Sequence, residues 1–209
     1  MMVNFSILGR GRAGRALAAA WGDSVALLPH DAEPEGFVLL AVPDDAIAAQ
    51  AARFRGRTAH LSGSLHLEGI PSVHPLTSFD GEPRNWTGTP LAITGAVPDF
   101  LVAAFARLGF SPFPLPVQHK ALYHACAVLT SGHCATLWTG AEALLRGAGV
   151  DLPGRGLLPL AEATLRNIER SGAAGLTGPF VRGDEATIAR DASALPEYWR
   201  EIFLKLGRL

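Results

Sequence analysis

Cysteine is nearly absent from this 209-residue chain: Cys126 and Cys134 are the only two, and they form no C-x-x-C pair. Two lone thiols exclude a disulfide framework and fit a reducing compartment, so a cytoplasmic protein is expected. Charge is also sparse, at 18% of residues, with a formal net charge of −1 and no basic stripe, which argues against nucleic acid as a partner. The positions His119, His124, Cys126, His133 and Cys134 match no zinc spacing, so no metal is expected. Long hydrophobic runs are missing too. The most apolar stretch, residues 121–145, contains His124, His133 and Glu142 and is flanked by Lys120 and Arg146, which argues against a membrane span. Arg10, Arg12 and Arg15 follow the first apolar run, whereas an export signal carries its positive charge before it.

What the chain does have is 48% hydrophobic residues and a length able to bury a substantial core, the profile of a globular protein. Short β-like runs alternate with helical ones through the first half. Strands are predicted at residues 3–8, 25–28, 37–42, 58–61, 72–74 and 91–94. Helices are predicted at 12–21, from Asp44–Asp45 at the N-cap to about Arg53, and at 98–108. Alternation of this kind predicts a parallel, doubly wound sheet. Only eight residues, "PHDAEPEG", separate the second and third strands. A helical crossover needs about 10–12 or more, so the helix usual there is missing or reduced to a turn. "FSPFPLPVQHK" reads as an edge strand or a stiff linker, since each of Pro112, Pro114 and Pro116 pushes its predecessor toward extended geometry. Beyond it only helices are predicted, at 120–146, 157–171, 184–192 and 196–206. The first of these is apolar on most faces. It must be covered all round, which a second copy of the chain would do, so a homodimer is expected.

The loop "GRGRAG", Gly9 to Gly14, has the G-x-G-x-x-G spacing between a strand and a helix, the context a dinucleotide-binding loop requires. Gly9 would allow the tight turn and Gly11 the approach of a pyrophosphate. Gly14 would let helix and strand pack closely, and the helix N-terminus would face the phosphates. Arg10 and Arg12, on either side of Gly11 in a loop that also includes Ala13, add positive charge there or form a solvated face. After the second strand stand His30 and Asp31, which leave the choice between NAD and NADP open. His74, stiffened by Pro75 at a strand's C-terminal end, faces the ligand crevice of such a sheet as an acid/base, or satisfies a loop carbonyl. Lys120 and His124 share a helical face at i, i+4. Arg182 could clamp a carboxylate or phosphate, or form a salt bridge, with Thr177 in the same "LTGPFVRGD" segment and Asn167 on the preceding helix.

The ordered motifs "LLAVPDDAI", "AHLSGS", "VHPLTSF", "KALYHACAVLTSG", "PLAEATLRN" and "LTGPFVRGD" resemble those of a family of bacterial Rossmann-like proteins with a helical C-terminal domain of unknown function. Its members are labelled NADP oxidoreductases, some deazaflavin-dependent, by analogy. The family is similar to the 6-phosphogluconate and 3-hydroxyisobutyrate dehydrogenases and to pyrroline-5-carboxylate reductase. The resemblance implies that Val42, Pro43 and Asp44 lie beside a nicotinamide ribose, with His60, Ser62 and Gly63 continuing the cofactor face. It also implies that Lys120 and His124 inherit the catalytic position, and that the 177–184 segment packs against the cleft. The asparagine usual in the long helix is replaced here by Gly132.

The expectation is therefore a Rossmann-like α/β domain at residues 1–116 and an all-α dimerisation domain at 117–209. The function expected is hydride transfer between NADP(H), with NAD or a deazaflavin not excluded, and a small carbonyl, imine or hydroxy-acid substrate. The competing reading is a non-catalytic nucleotide- or metabolite-binding homodimer with a degenerate cofactor pocket.

Overall fold

The computed structural model describes residues 5–208. Val3 and Asn4, expected to open the first strand, lie outside the described residues. The chain divides into two compact units, Met1–Cys134 and Ala135–Leu209.

The first unit is a seven-stranded sheet: β1 (Phe5–Leu8), β2 (Ala26–Leu28), β3 (Phe37–Leu40), β4 (Thr58–His60), β5 (Ser72–Pro75), β6 (Pro90–Thr94) and β7 (Ser111–Pro114), in the spatial order β2-β1-β3-β4-β5-β6-β7. Its helices are α1 (Arg12–Trp21), α2 (Asp44–Arg53) and α3 (Asp99–Arg107), followed by α4 (Lys120–Val128) and a π turn at Leu129–His133. Alternate side chains enter two cores, one on each face of the sheet, which explains why β3 reads as an unbroken apolar run. Ile7 and Leu39 join a core with Leu17 and Trp21 of α1 and Leu101 and Phe105 of α3. Leu8, Val38 and Leu40 face the opposite way, onto Ile47, Ala51 and Phe54 of α2 and the turn after it. Trp21 fixes the first layer by donating its indole N–H to the Ala104 carbonyl at 3.1 Å while standing edge-on to Phe5 and Phe105.

The sheet departs from the all-parallel expectation at one place. β5 and β6 pair antiparallel, so β6 and β7 run against the other five strands. The connecting residues 76–89 form no helix, and an antiparallel neighbour needs no crossover. Beyond it β7 is an edge strand, parallel to β6, where Pro112 and Pro114 cost no ladder bond to an outer neighbour.

The segment between β2 and β3 holds no helix, as its length requires. Two arginines fasten it instead. Arg53 donates to the carbonyls of His30, Asp31 and Ala32 and to the Glu33 carboxylate, and Arg57 to the carbonyls of Pro34, Glu35 and Gly36.

The second unit is helical: α5 (Cys134–Gly147, beginning at the last residue of the first unit), α6 (Leu158–Ser171), the short α7 (Pro179–Arg182), α8 (Glu185–Ala194) and α9 (Glu197–Leu206). The helix expected at residues 120–146 is thus interrupted by the π turn, and α7 was not foreseen. Asp184 caps α8, accepting from the Thr187 amide at 3.1 Å, the role its position predicted. Gly140 has no Cβ because Trp199 of α9 occupies the space one would need. Among the described residues of this unit Ile188 and Ala192 are the buried apolar side chains, whereas Leu160 is 67% exposed and Val181 60%. Among the described residues no helix is long and apolar enough to cross a membrane.

Candidate active site

The C-terminal ends of β1, β3, β4 and β5 lie along one edge of the parallel part of the sheet, where ligands of doubly wound folds bind. The glycine loop follows β1. Gly9 has φ +119°, and a Cβ there would lie 2.4 Å from the Ala41 carbonyl oxygen. A Cβ on Gly14 would collide with the Gly9 carbonyl. Packing within the chain therefore explains both glycines. Gly11 differs. It opens α1 with an ordinary φ of −70°, and a Cβ on it would meet nothing within 4 Å. Its smallness leaves space outside the chain, in front of the unpaired N–H groups of α1. Arg10 and Arg12 are exposed beside it, Ala13 is half-buried, and the first turn of α1 carries no acid.

After β3 come Val42, Pro43 and Asp44. The expected cap is corrected here: Pro43 takes the N-cap position and Asp44 the first helical one, with no side-chain cap bond. The Asp44 carboxylate instead accepts from the Ser62 hydroxyl at 2.8 Å. The Ser62 oxygen in turn accepts from the Leu65 amide at 2.9 Å, and the Ser62 amide donates to His60 Nδ1 at 3.2 Å. His60 is fully buried. Burial first, and then the charge of Lys120, push its pKa down to about 4. The ring is neutral with its proton on Nε2, and that N–H has no partner among the described residues.

Lys120, at the start of α4, is only 2% exposed. Its ammonium donates to the Ser62 carbonyl at 3.0 Å and the Ser72 hydroxyl at 2.7 Å, tying α4 to the ends of β4 and β5. Burial lowers its pKa to about 8, with Asp44 opposing, so the group is mostly charged at neutral pH.

His74 lies over Gly63, where a Cβ would come within 2.8 Å of its Nε2. Its Nδ1 shares a hydrogen bond of 2.9 Å with the Tyr123 hydroxyl, and the His124 ring stands 6.0 Å away. Burial, then His124 and Lys120, push His74 down to about 4, and burial pushes Tyr123 up to about 12. Both are neutral at pH 7. These groups line a cleft of about 480 Å³ whose walls include His74, Tyr123, His124, Cys126, Thr130 and Ser131. Lys120 is not part of its wall. The structure thus brings His74 and His124 together, adds Tyr123, and sends Lys120 to the strand ends. Tyr123 was readable as three residues after Lys120 on one helical face, but its hydroxyl's partner comes from β5.

His30 sits exposed in the fastened loop, its carbonyl held by Arg53. Asn167, Thr177 and Arg182 belong to the second unit. Asn167 accepts from Arg170 at 2.6 Å on α6, Thr177 lies in the turn before α7, and exposed Arg182 ends α7. No cluster of three or more metal-ligating side chains occurs among the described residues.

A Rossmann-like sheet followed by a helical C-terminal region defines the architecture. Residues 89–209, more than half of the chain, match the family described as a domain of unknown function, DUF2520, and the chain belongs to that family. Several solved structures share the fold. BF3122 of Bacteroides fragilis, provisionally named an NADP oxidoreductase, has 18% identity and a TM-score of 0.81, with 100% of this chain and 98% of that one covered. Protein TM1727 of Thermotoga maritima has 20% identity and a TM-score of 0.73, covering 98% and 95%. A reductive aminase from Aspergillus terreus in complex with NADPH and ethyl levulinate has 14% identity and a TM-score of 0.61, covering 99% and 92%. No curated protein matches the chain.

Proposed function

We propose that this protein is an NADP(H)-dependent oxidoreductase that moves hydride to or from a small carbonyl, imine or hydroxy-acid substrate. The observation that carries the reading is Gly11. The fold gives no internal reason for a glycine there, and it leaves the N-terminus of α1 open to a pyrophosphate, flanked by Arg10 and Arg12. The oxidoreductase names of several proteins sharing the fold support it.

In this reading the Gly9–Gly14 backbone, with Ala13, holds the phosphates. Val42, Pro43, Asp44, Ser62 and Gly63 border the nicotinamide end, and His30 borders the adenosine end. The bound cofactor supplies or accepts the hydride; NAD or a deazaflavin would meet the same loop. His74, Tyr123 and His124 face the substrate and manage its proton. Lys120, also a sequence candidate for catalysis, holds Ser62 and Ser72 in place, and its charge adds to burial and to His124 in keeping His74 neutral. Asn167, Thr177 and Arg182 are assigned to the substrate side.

The proposal includes a cofactor domain at residues 1–116 and a helical domain at 117–209, since the last strand ends at Pro114 and only helix follows. It also includes a homodimer through the helical domain, supported by the exposed Leu160, Leu165, Val181 and Tyr198. The free thiols of Cys126 and Cys134 support a cytoplasmic setting. A second reading, a binding homodimer without turnover, is favoured by the fastened 29–36 loop, where the helix usual at the adenosine end is missing.

The test is NADPH oxidation with a panel of keto acids, ketones and cyclic imines, for wild type and Tyr123→Phe. Turnover that falls about 100-fold or more in the variant supports acid/base work at the cleft. Tight cofactor binding with no turnover on any substrate supports the binding protein instead.

A further inference from the structure

We infer that α6 of each chain docks in an apolar groove on the helical unit of a second copy, so that two copies exchange these helices reciprocally. The inference rests on the homodimer reading and deepens it by naming the surface and its occupant.

α6 carries an uncovered apolar seam. Leu158, Ala161, Leu165 and Ile168 stand at i, i+3, i+7 and i+10, the spacing that lines side chains up along one helical face. The three large ones are exposed, Leu158 by 41%, Leu165 by 55% and Ile168 by 40%. Among the described residues, the one extensive contact of α6 is with the turn that follows it, residues 172–175, where a Cβ on Gly175 would collide with the Asn167 carbonyl. A helix of 14 residues is marginal in water unless its apolar face is packed.

The same unit offers a surface of the complementary shape. α5 and α9 form the walls of a groove of about 520 Å³. α5 contributes Leu137, Ala141 and Leu144 at i, i+4 and i+7, and α9 contributes Trp199, Ile202 and Leu206 at i, i+3 and i+7. No charged side chain lines the groove. Two helices whose apolar ridges face one valley make a receptacle for a third, amphipathic helix. α5 and α6 are both 14 residues long, about 21 Å each, so the seam matches the wall in length as well as in character.

The chain's own α6 does not fill this groove, since it contributes nothing to the lining and is tied elsewhere at both ends. At its start Glu142 accepts from the Leu157 amide at 3.0 Å, and Arg155 pairs with Glu162. At its end the 172–175 turn packs back on Asn167. A second copy brings an identical seam without loosening either tie. Reciprocal exchange fills both grooves and covers both seams, so the pair closes with twofold symmetry and recruits no third chain. It also doubles the covered area, which a single small insertion needs in order to approach the ~1,600 Å² of a stable pair.

Sedimentation equilibrium of the full-length chain, from about 0.1 to 100 µM, tests the inference. Wild type is expected to be a dimer that grows no further. Leu165→Glu puts a charge in the seam, and Leu206→Lys puts one in the groove. Each should weaken dimerisation about 100-fold or more, with circular dichroism as the fold control. An equal mixture of the two variants retains one intact groove and one intact seam, so it should dimerise more tightly than either variant alone. Unfolded chains could not give that recovery. A monomer across the whole range would overturn the inference together with the homodimer reading. A dimer unaffected by Leu165→Glu or by Leu206→Lys, or a mixture no tighter than its components, would overturn the inference and leave the homodimer reading standing.

Discussion

Lowering the pH from 7 to 5 should destabilise this protein through two imidazoles. His60 and His74 both have pKa values near 4 in the fold, against 6.5 unfolded. Between those values the unfolded chain binds protons that the folded one refuses. Stability is thus complete above about pH 6.5 and is lost as pH falls toward 4. Each group removes about 2 kcal/mol between pH 7 and pH 5, and the two together about 4, a large part of the 5–15 kcal/mol typical of a domain. Carboxylates titrate mostly below this window, so the histidines dominate the slope. The assay is urea unfolding at pH 7, 6 and 5 at constant ionic strength, for wild type and His74→Gln. The variant should lose about half of the pH dependence. An equal slope in both proteins, or stability independent of pH in wild type, would refute the assignment of two neutral rings, one buried and one half-buried, beside the Lys120 charge.

Gly63→Ala places a methyl 2.8 Å from His74 Nε2, so the ring must move and its 2.9 Å bond to Tyr123 is broken; a loss of about 1–2 kcal/mol in urea unfolding and a His74 pKa closer to 6.5 by NMR are expected. Gly9→Ala combines φ +119° with a clash against backbone and should cost about 3 kcal/mol or more, while Gly11→Ala should change the melt within about 0.5 kcal/mol.

The sequence made some features legible because their physics is local. The apolar run of β3, the glycine spacing, the Asp184 cap and the short β2–β3 connection are all written in consecutive residues. The antiparallel turn into β6 is not, because strand composition carries no direction and residues 76–89 are long enough for either topology. The π turn left no residue signature, since a backbone register shift is compatible with many side chains. Helical spacing put Lys120 and His124 on one face, but only the packing of α4 shows that Lys120 is buried against Ser62 and Ser72. Arg53 and Arg57 read as ordinary basic residues near a helix end. Their bonds to the carbonyls of residues 30–36 depend on where the β2–β3 loop lies.

The central claim is that the loop after β1 holds a dinucleotide, and a fluorescence titration with NADPH, and separately with NADH, tests it most directly. Saturable binding in the micromolar range is predicted, and Gly11→Trp should abolish it while leaving the melt intact, because the space at Gly11 is open. Absence of binding for either nucleotide up to millimolar concentration, or binding untouched by Gly11→Trp, would contradict it.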